Sequence, residues 1–111
     1  MNTNKVKKIV KYSADWCVPC RNYTPTFRKV SEMEEYKDLE FEVIDIEKRR
    51  DMSPTFEKLG IRSIPTTILF DENDSPIYKV MGNIPLKDLI DLINTALQDR
   101  SEEEEKEEEE E

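Results

Sequence analysis

Two rhythms of apolar residues alternate along this chain, and together they predict the element order βαβαββα. Residues 6–12 are a short β-branched and aromatic run (Val6, Ile9, Val10, Tyr12) broken by lysines, which predicts a first strand. From Pro19 the period changes: Cys20, Tyr23, Phe27, Val30 and Met33 recur at helical spacing, with Arg28, Lys29, Glu32 and Glu35 on the other faces. This is a long first helix that Pro25 should kink. Residues 41–46 predict a second strand. Ser53 and Pro54 supply an N-cap and a first helical position, and Gly60 ends that short helix about two turns later. Residues 64–70 predict a third strand, the polar cluster 71–75 a hairpin loop, and residues 77–81 an antiparallel fourth strand. Pro85 opens a last helix whose stripe is Leu86, Leu89, Ile90, Ile93 and Leu97, with Asp91, Asn94 and Asp99 outside it. Strands separated by helices predict parallel pairs, and the final hairpin adds an antiparallel edge. The expected fold is α/β, a mixed four-stranded sheet flanked by helices.

Composition changes this picture in one place, the C-terminus. The 111 residues, 36% hydrophobic, suffice for one small packed core. The net charge of −9 is uneven: nine glutamates against Lys106 place −8 of it in residues 101–111, leaving 17 of the 26 acidic and 16 of the 17 basic side chains in residues 1–100. The expected division is therefore a nearly neutral domain over residues 1–100 and a self-repelling acidic tail over 101–111, disordered or a frayed extension of the last helix. A neutral domain gives no reason to expect nucleic acid as a partner. Lys5, Lys7 and Lys8 are followed by only Ile9 and Val10 before Lys11 intervenes, which is too short for a secretory leader or a membrane span. The expected location is cytoplasmic. There thiols stay reduced, so a cysteine pair is expected to be catalytic or metal-binding rather than structural. The chain has no histidine, which excludes Ser-His-Asp and Cys-His catalysis and any zinc site that needs imidazole.

The chemistry concentrates in Trp16-Cys17-Val18-Pro19-Cys20, which holds the only two cysteines. Such a pair can close and reopen a disulfide, a two-electron switch that needs no bound cofactor. The attacking sulfur must be a thiolate, and a helix N-terminus provides partial positive charge and free N–H groups to favour one. Lowering a thiol pKa from ~8.5 to ~7 raises the thiolate fraction about fifteen-fold, while lost nucleophilicity takes back a factor of about five. Most of the advantage must then come from a second thiol that resolves the mixed disulfide. Cys17, at the exposed mouth of the helix, is assigned attack, and Cys20, which continues the stripe of Tyr23 and Phe27, is assigned resolution. A zinc site shared by two chains is the other chemistry such a pair permits, and it requires two helix mouths to face each other.

With its Trp-Cys-x-Pro-Cys, Pro25, the segment 60–66 and Lys79-Val80-Met81-Gly82, the chain resembles the thioredoxin family over roughly residues 6–98. The resemblance implies a thioredoxin-like fold and a cis bond before Pro65, with Pro65 facing the disulfide. It also implies a shallow substrate groove formed by Trp16, Val18, Pro19, Ile64, Pro65, Met81 and Gly82. It implies a thiol-disulfide oxidoreductase that reduces protein disulfides, in electron transport and cell redox homeostasis, with no cofactor beyond the Cys17–Cys20 disulfide. The implied partners are protein substrates and an upstream reductase such as a thioredoxin reductase, acting on a monomer. Three substitutions depart from the family pattern: Val18 and Ser63 stand for glycines, and Lys11 stands where the family buries an aspartate. Because residues 1–5 alone precede the first strand, a trimmed, glutaredoxin-sized version is expected. A glutaredoxin-type Cys-Pro-Tyr-Cys is missing, so glutathione binding is not. Lys11 has two readings, a cation that lowers the pKa of Cys17 or Cys20, or a lysine whose ammonium snorkels to water. Asp15 is read as solvating the turn, and Tyr12, Tyr23, Tyr36 and Tyr78 as core or boundary residues. Two other functions remain open on the sequence: a redox-regulated binding module, and a glutaredoxin-like or oxidising variant.

Overall fold

A computed structural model describes the backbone of residues 6–109 and the side chains of residues 6–98. The elements are β1 (Val6–Ser13), α1 (Val18–Ser31), β2 (Glu40–Asp45), α2 (Ser53–Lys58), β3 (Thr66–Asp71), β4 (Pro76–Met81) and α3 (Leu86–Glu109), with 3-10 turns at Glu34–Tyr36 and Arg50–Met52. The strands form one sheet in the order β2-β1-β3-β4. Strand β1 pairs parallel with β2 and antiparallel with β3, and β3 pairs antiparallel with β4.

The expectation of parallel pairs holds for β1 and β2 and fails for β3. A parallel return needs a crossover that carries the chain back along the strands. Helix α2 has six residues, about 9 Å of rise, against about 20 Å of strand. The chain therefore re-enters the sheet at the end where β2 finished, with Thr66 opposite Tyr12, and β3 runs the other way. Nor is Ser53 an N-cap: it is the first residue of α2, which continues directly from the turn Arg50–Met52. Gly60 does end α2. At φ +73° it lets its own N–H reach the Glu57 carbonyl (3.0 Å) and the Ile61 N–H reach Phe56 (3.1 Å), closing a Schellman motif.

The two central strands explain why the sequence does not alternate cleanly there. Every residue of β3 is buried, and so is β1 from Ile9 onward, because both faces of the sheet are covered. On one face Ile9 and Leu69 pack with Tyr23, Phe27 and Val30 of α1 and with Leu89, Ile93 and Ala96 of α3. On the other, Val10, Tyr12, Ile44, Ile68 and Phe70 pack around Phe56 of α2. A register shift between Val6 and Lys8 turns Val6 toward the α1 face. The stripe expected on α3 holds: Leu89 and Ile93 are buried, Leu86, Ile90 and Leu97 are half-buried and pack against the same core, and Ala96 joins the buried set. Burial of two tyrosines is made tolerable by local partners: Tyr23 Oη lies 2.8 Å from Thr67 Oγ1, and Tyr36 Oη donates to Asn94 Oδ1 at 2.6 Å. The hairpin loop is held by the buried Asp71 carboxylate, whose Oδ1 accepts the N–H groups of Asn73 and Ser75, both at 2.9 Å. Helix α3 continues into the acidic segment as far as Glu109; residues 110 and 111 lie outside the described residues. Among the described residues no helix is long and apolar enough to cross a membrane.

Candidate active site

Strand β1 delivers the chain to the C-terminal edge of the sheet, where residues 14–16 turn and the Cys17 N–H bonds back to Ala14 O at 3.2 Å. Cys17 is the N-cap of α1: its backbone is extended (φ −89°, ψ 113°) and its Sγ accepts the Cys20 N–H at 3.2 Å. A sulfur thus fills the place that Ser, Thr, Asp or Asn oxygens usually take at a cap. Pro19 costs nothing here, since an N–H in the first turn has no helical acceptor. Cys17 and Cys20 are joined in a disulfide with Cα atoms 5.2 Å apart. No acidic residue lies in the first turn of α1, so nothing opposes the partial positive charge of the helix end at Cys17.

The cap is not an open mouth. Cys17 is 5% exposed and Cys20 2%, so the expected difference in exposure is small in the disulfide form. The two sulfurs pack with Ala14 against Ile46 and Ile64. What is exposed is the apolar rim: Trp16 (61%), Val18 (54%) and Met81 (53%). Large apolar side chains left in water around a reactive centre mark a surface built to be covered. The Ile64–Pro65 peptide is cis. It sets the Ile64 carbonyl oxygen 3.7 Å from Cys17 Sγ and leaves the Pro65 carbonyl to accept the Gly82 N–H at 2.7 Å. Gly82 has φ +98°, a conformation that favours glycine, although a Cβ there would meet no atom within 4 Å. Ser63 Oγ reaches Met81 Sδ at 3.6 Å, which links the loop before Pro65 to the end of β4.

The structure thus gathers Trp16, Cys17, Val18, Pro19, Cys20, Ile64, Pro65, Met81 and Gly82 at one end of the sheet. It also shows what the sequence reading missed. Ile46, Ile61 and Arg62 join Trp16, Ser63 and Ile64 around a cavity of about 290 Å³ beside the disulfide. The signal available was position, since Ile61 and Arg62 immediately precede the Ser63-Ile64-Pro65 segment. Asp15 does more than meet solvent: its carboxylate pairs with Lys48 at 3.0 Å and its carbonyl accepts from Arg21 at 3.2 Å. Both contacts are exposed and contribute little to stability.

Lys11 is 3% exposed, which overturns the snorkelling reading. It lies on the α1 face of the sheet, with Nζ 5.5 Å from the Phe27 ring centre and 5.9 Å from that of Tyr23. Its Nζ donates to Thr24 Oγ1 at 3.0 Å, and that hydroxyl donates to the Cys20 carbonyl at 3.1 Å. Burial, and then the nearby Arg28 guanidinium, hold its pKa below the usual lysine value. Thr24 was not singled out from the sequence, because one threonine in a helix carries no signal until its neighbours are known. Among the described residues no cluster of three or more His, Cys, Asp or Glu side chains could hold a metal.

The comparisons with known proteins converge. The Thioredoxin family model matches residues 1–95. Thioredoxin from Rickettsia bellii is 39% identical over 90 residues, covering 80% of each chain. Thioredoxin Asp f 29 from Aspergillus fumigatus is 35% identical over 77 residues, 69% of this chain and 66% of that protein. Among solved structures, the thioredoxin of Malassezia sympodialis superposes with a TM-score of 0.70 at 28% identity, covering 85% of this chain and 78% of its own. A family match over most of the length, a matching fold, and a cysteine pair capping a helix beside a cis proline lead to one conclusion: the chain belongs to the thioredoxin family and is a thiol-disulfide oxidoreductase.

Proposed function

We propose that this protein reduces disulfides in other proteins, with Cys17 as nucleophile and Cys20 as resolving thiol. The Cys17 thiolate attacks one sulfur of the substrate disulfide, forming a mixed disulfide and releasing the other substrate sulfur as a thiolate that takes a proton. Cys20, deprotonated, then attacks Cys17 Sγ. The second substrate thiol leaves, and the Cys17–Cys20 disulfide remains. Two electrons have passed to the substrate, and an upstream dithiol donor such as a thioredoxin reductase returns them. The observation that carries this assignment is the cap itself: Cys17 Sγ receives the Cys20 N–H at 3.2 Å at a helix N-terminus, a bond that strengthens when the sulfur is charged.

Trp16, Val18, Pro19, Ile64, Pro65, Met81 and Gly82 form the groove in this reading. The exposed Trp16, Val18 and Met81 supply apolar contact to an extended substrate segment, and the groove's polar groups orient it. The protein acts as a monomer in the cytoplasm, in electron transfer to protein disulfides, without a bound cofactor. Lys11 favours the thiolate forms of the pair through the Thr24 link. Its removal should raise a thiol pKa, and unchanged thiol titrations in Lys11→Met would defeat that role.

Insulin reduction in the presence of a dithiol or a reductase tests the function. Sustained turnover is expected. Binding of partners that depends on redox state, without turnover, would replace the enzyme by a redox-regulated binding module, and net oxidation of dithiols would reverse its direction.

The acidic residues of 101–111 steer basic partners. Deleting them should slow association with a basic protein substrate at low salt and leave the rate at high salt unchanged. Equal association rates at low salt would remove the steering role.

A further inference from the structure

Between α1 and the β1–β2 edge lies a cavity of about 220 Å³ lined by none of the rim residues of the disulfide. Lys11, Thr24, Arg28 and Ser31 bring its polar groups, and Phe27, Phe41 and Val43 form apolar walls. The helical residues, at positions 24, 27, 28 and 31, follow the period of one helix face. No carboxylate lines the cavity, and neither Lys11 nor Arg28 forms an ion pair among the described residues.

The hydrogens available to a ligand can be traced. Thr24 Oγ1 already donates to Cys20 O at 3.1 Å, and Ser31 Oγ to Arg28 O at 2.7 Å. Lys11 donates one of its three N–H bonds to Thr24. Two remain on its ammonium, together with the guanidinium fork of Arg28. The site therefore offers donors of one charge sign, no competing carboxylate, and aromatic walls that lower the local dielectric and strengthen attraction to an opposite charge. A buried ammonium with no carboxylate beside it among the described residues is costly, and a bound anion offsets that cost.

We propose that this cavity binds a small oxyanion of the inorganic phosphate class between the Lys11 ammonium and the Arg28 guanidinium. The planar guanidinium suits two oxygens of a tetrahedral anion, and the ammonium serves as a point charge on a third. Burial and then the Arg28 guanidinium lower the Lys11 pKa, and an anion bound between the two cations opposes that lowering by its attraction for the ammonium. Because Thr24 joins Lys11 to the Cys20 carbonyl, occupancy is felt at the turn of α1 that carries Cys20.

The test is a titration of the full chain with inorganic phosphate at constant ionic strength, followed by amide shifts and by the side-chain nitrogen signal of Lys11. Saturable shifts centred on Lys11, Thr24 and Arg28 are expected, with the Lys11 pKa raised by the anion. Arg28 is exposed, so Arg28→Gln should fold as the parent does and should weaken binding by about ten-fold or more. Lys11→Met should abolish it. Non-saturating shifts spread over surface lysines, or an Arg28→Gln affinity equal to that of the parent, would overturn the site.

Discussion

Replacing Cys20 by serine should leave a protein that attacks substrate disulfides once and then stays attached, with turnover lower by about a thousand-fold or more. The magnitude follows from effective concentration. A positioned intramolecular nucleophile acts as though present at ~10⁵ M or above, whereas an external thiol at millimolar levels must reach a sulfur sheltered by its own substrate. In the parent, Cys20 is one helical turn from Cys17, with Cα atoms 5.2 Å apart and a bond already possible, so resolution needs no rearrangement of the fold. Cys17→Ser should behave differently. It should lose turnover and form no adduct, because Cys20 lies inside α1, whereas the cap position that favours a thiolate belongs to Cys17. Mass spectrometry of each variant incubated with a disulfide-containing peptide separates the two. An adduct on Cys17→Ser and none on Cys20→Ser would exchange the roles. Neither variant should fail through instability, since a disulfide between residues three apart constrains the unfolded chain little.

The site was legible where local chemistry is specific to position. Tryptophan, two cysteines and a proline in five residues, at a junction of strand and helix periods, announce a capped thiol pair, and Gly60 and Gly82 announce the positive φ values that both adopt. The direction of β3 was not legible. Hydrophobic pattern reports burial and period, but β3 is buried on both faces and reads alike in either direction; only the shortness of α2 could have argued for a return at the same end. Ala96 was missed for a related reason. Its side chain adds little to a hydrophobic stripe, yet it is buried in the same core as Leu89 and Ile93. The Asp71 carboxylate was hidden in a cluster of polar residues that looked like uniform loop, although burial and two N–H donors make it the anchor of the turn. Lys11 shows the limit most clearly. A lysine in a strand is read as reaching for water, and only the position of α1 above it closes that route.

That enclosure makes Lys11→Met the substitution expected to stabilise the protein most, by about 1–2 kcal/mol near neutral pH in buffer free of phosphate. Methionine follows much of the same path between Phe27 and Tyr23, and it removes a charge that the described residues leave unpaired. One hydrogen bond is lost, but no donor is stranded, because Thr24 keeps its bond to the Cys20 carbonyl. The pH dependence fixes the cause. Burial, reinforced by Arg28, lowers the folded-state pKa of Lys11 below 10.5, so between that lowered value and 10.5 the unfolded chain binds more protons. The parent should therefore gain stability from Lys11 as pH rises through this window, and the advantage of Lys11→Met should shrink toward 10.5. Tyrosines work in the opposite sense. Burial, with Glu42 adding to it, raises Tyr12 to about 12, and burial raises Tyr23 and Tyr36 as well, so their ionisation favours the unfolded chain above the usual tyrosine value of 10.0. Measuring both proteins by urea unfolding from neutral pH to 10.5 and taking the difference removes that common influence. A constant difference across pH would locate the gain in packing rather than charge, and a destabilised Lys11→Met would mean that the ammonium is matched by a partner in the folded state.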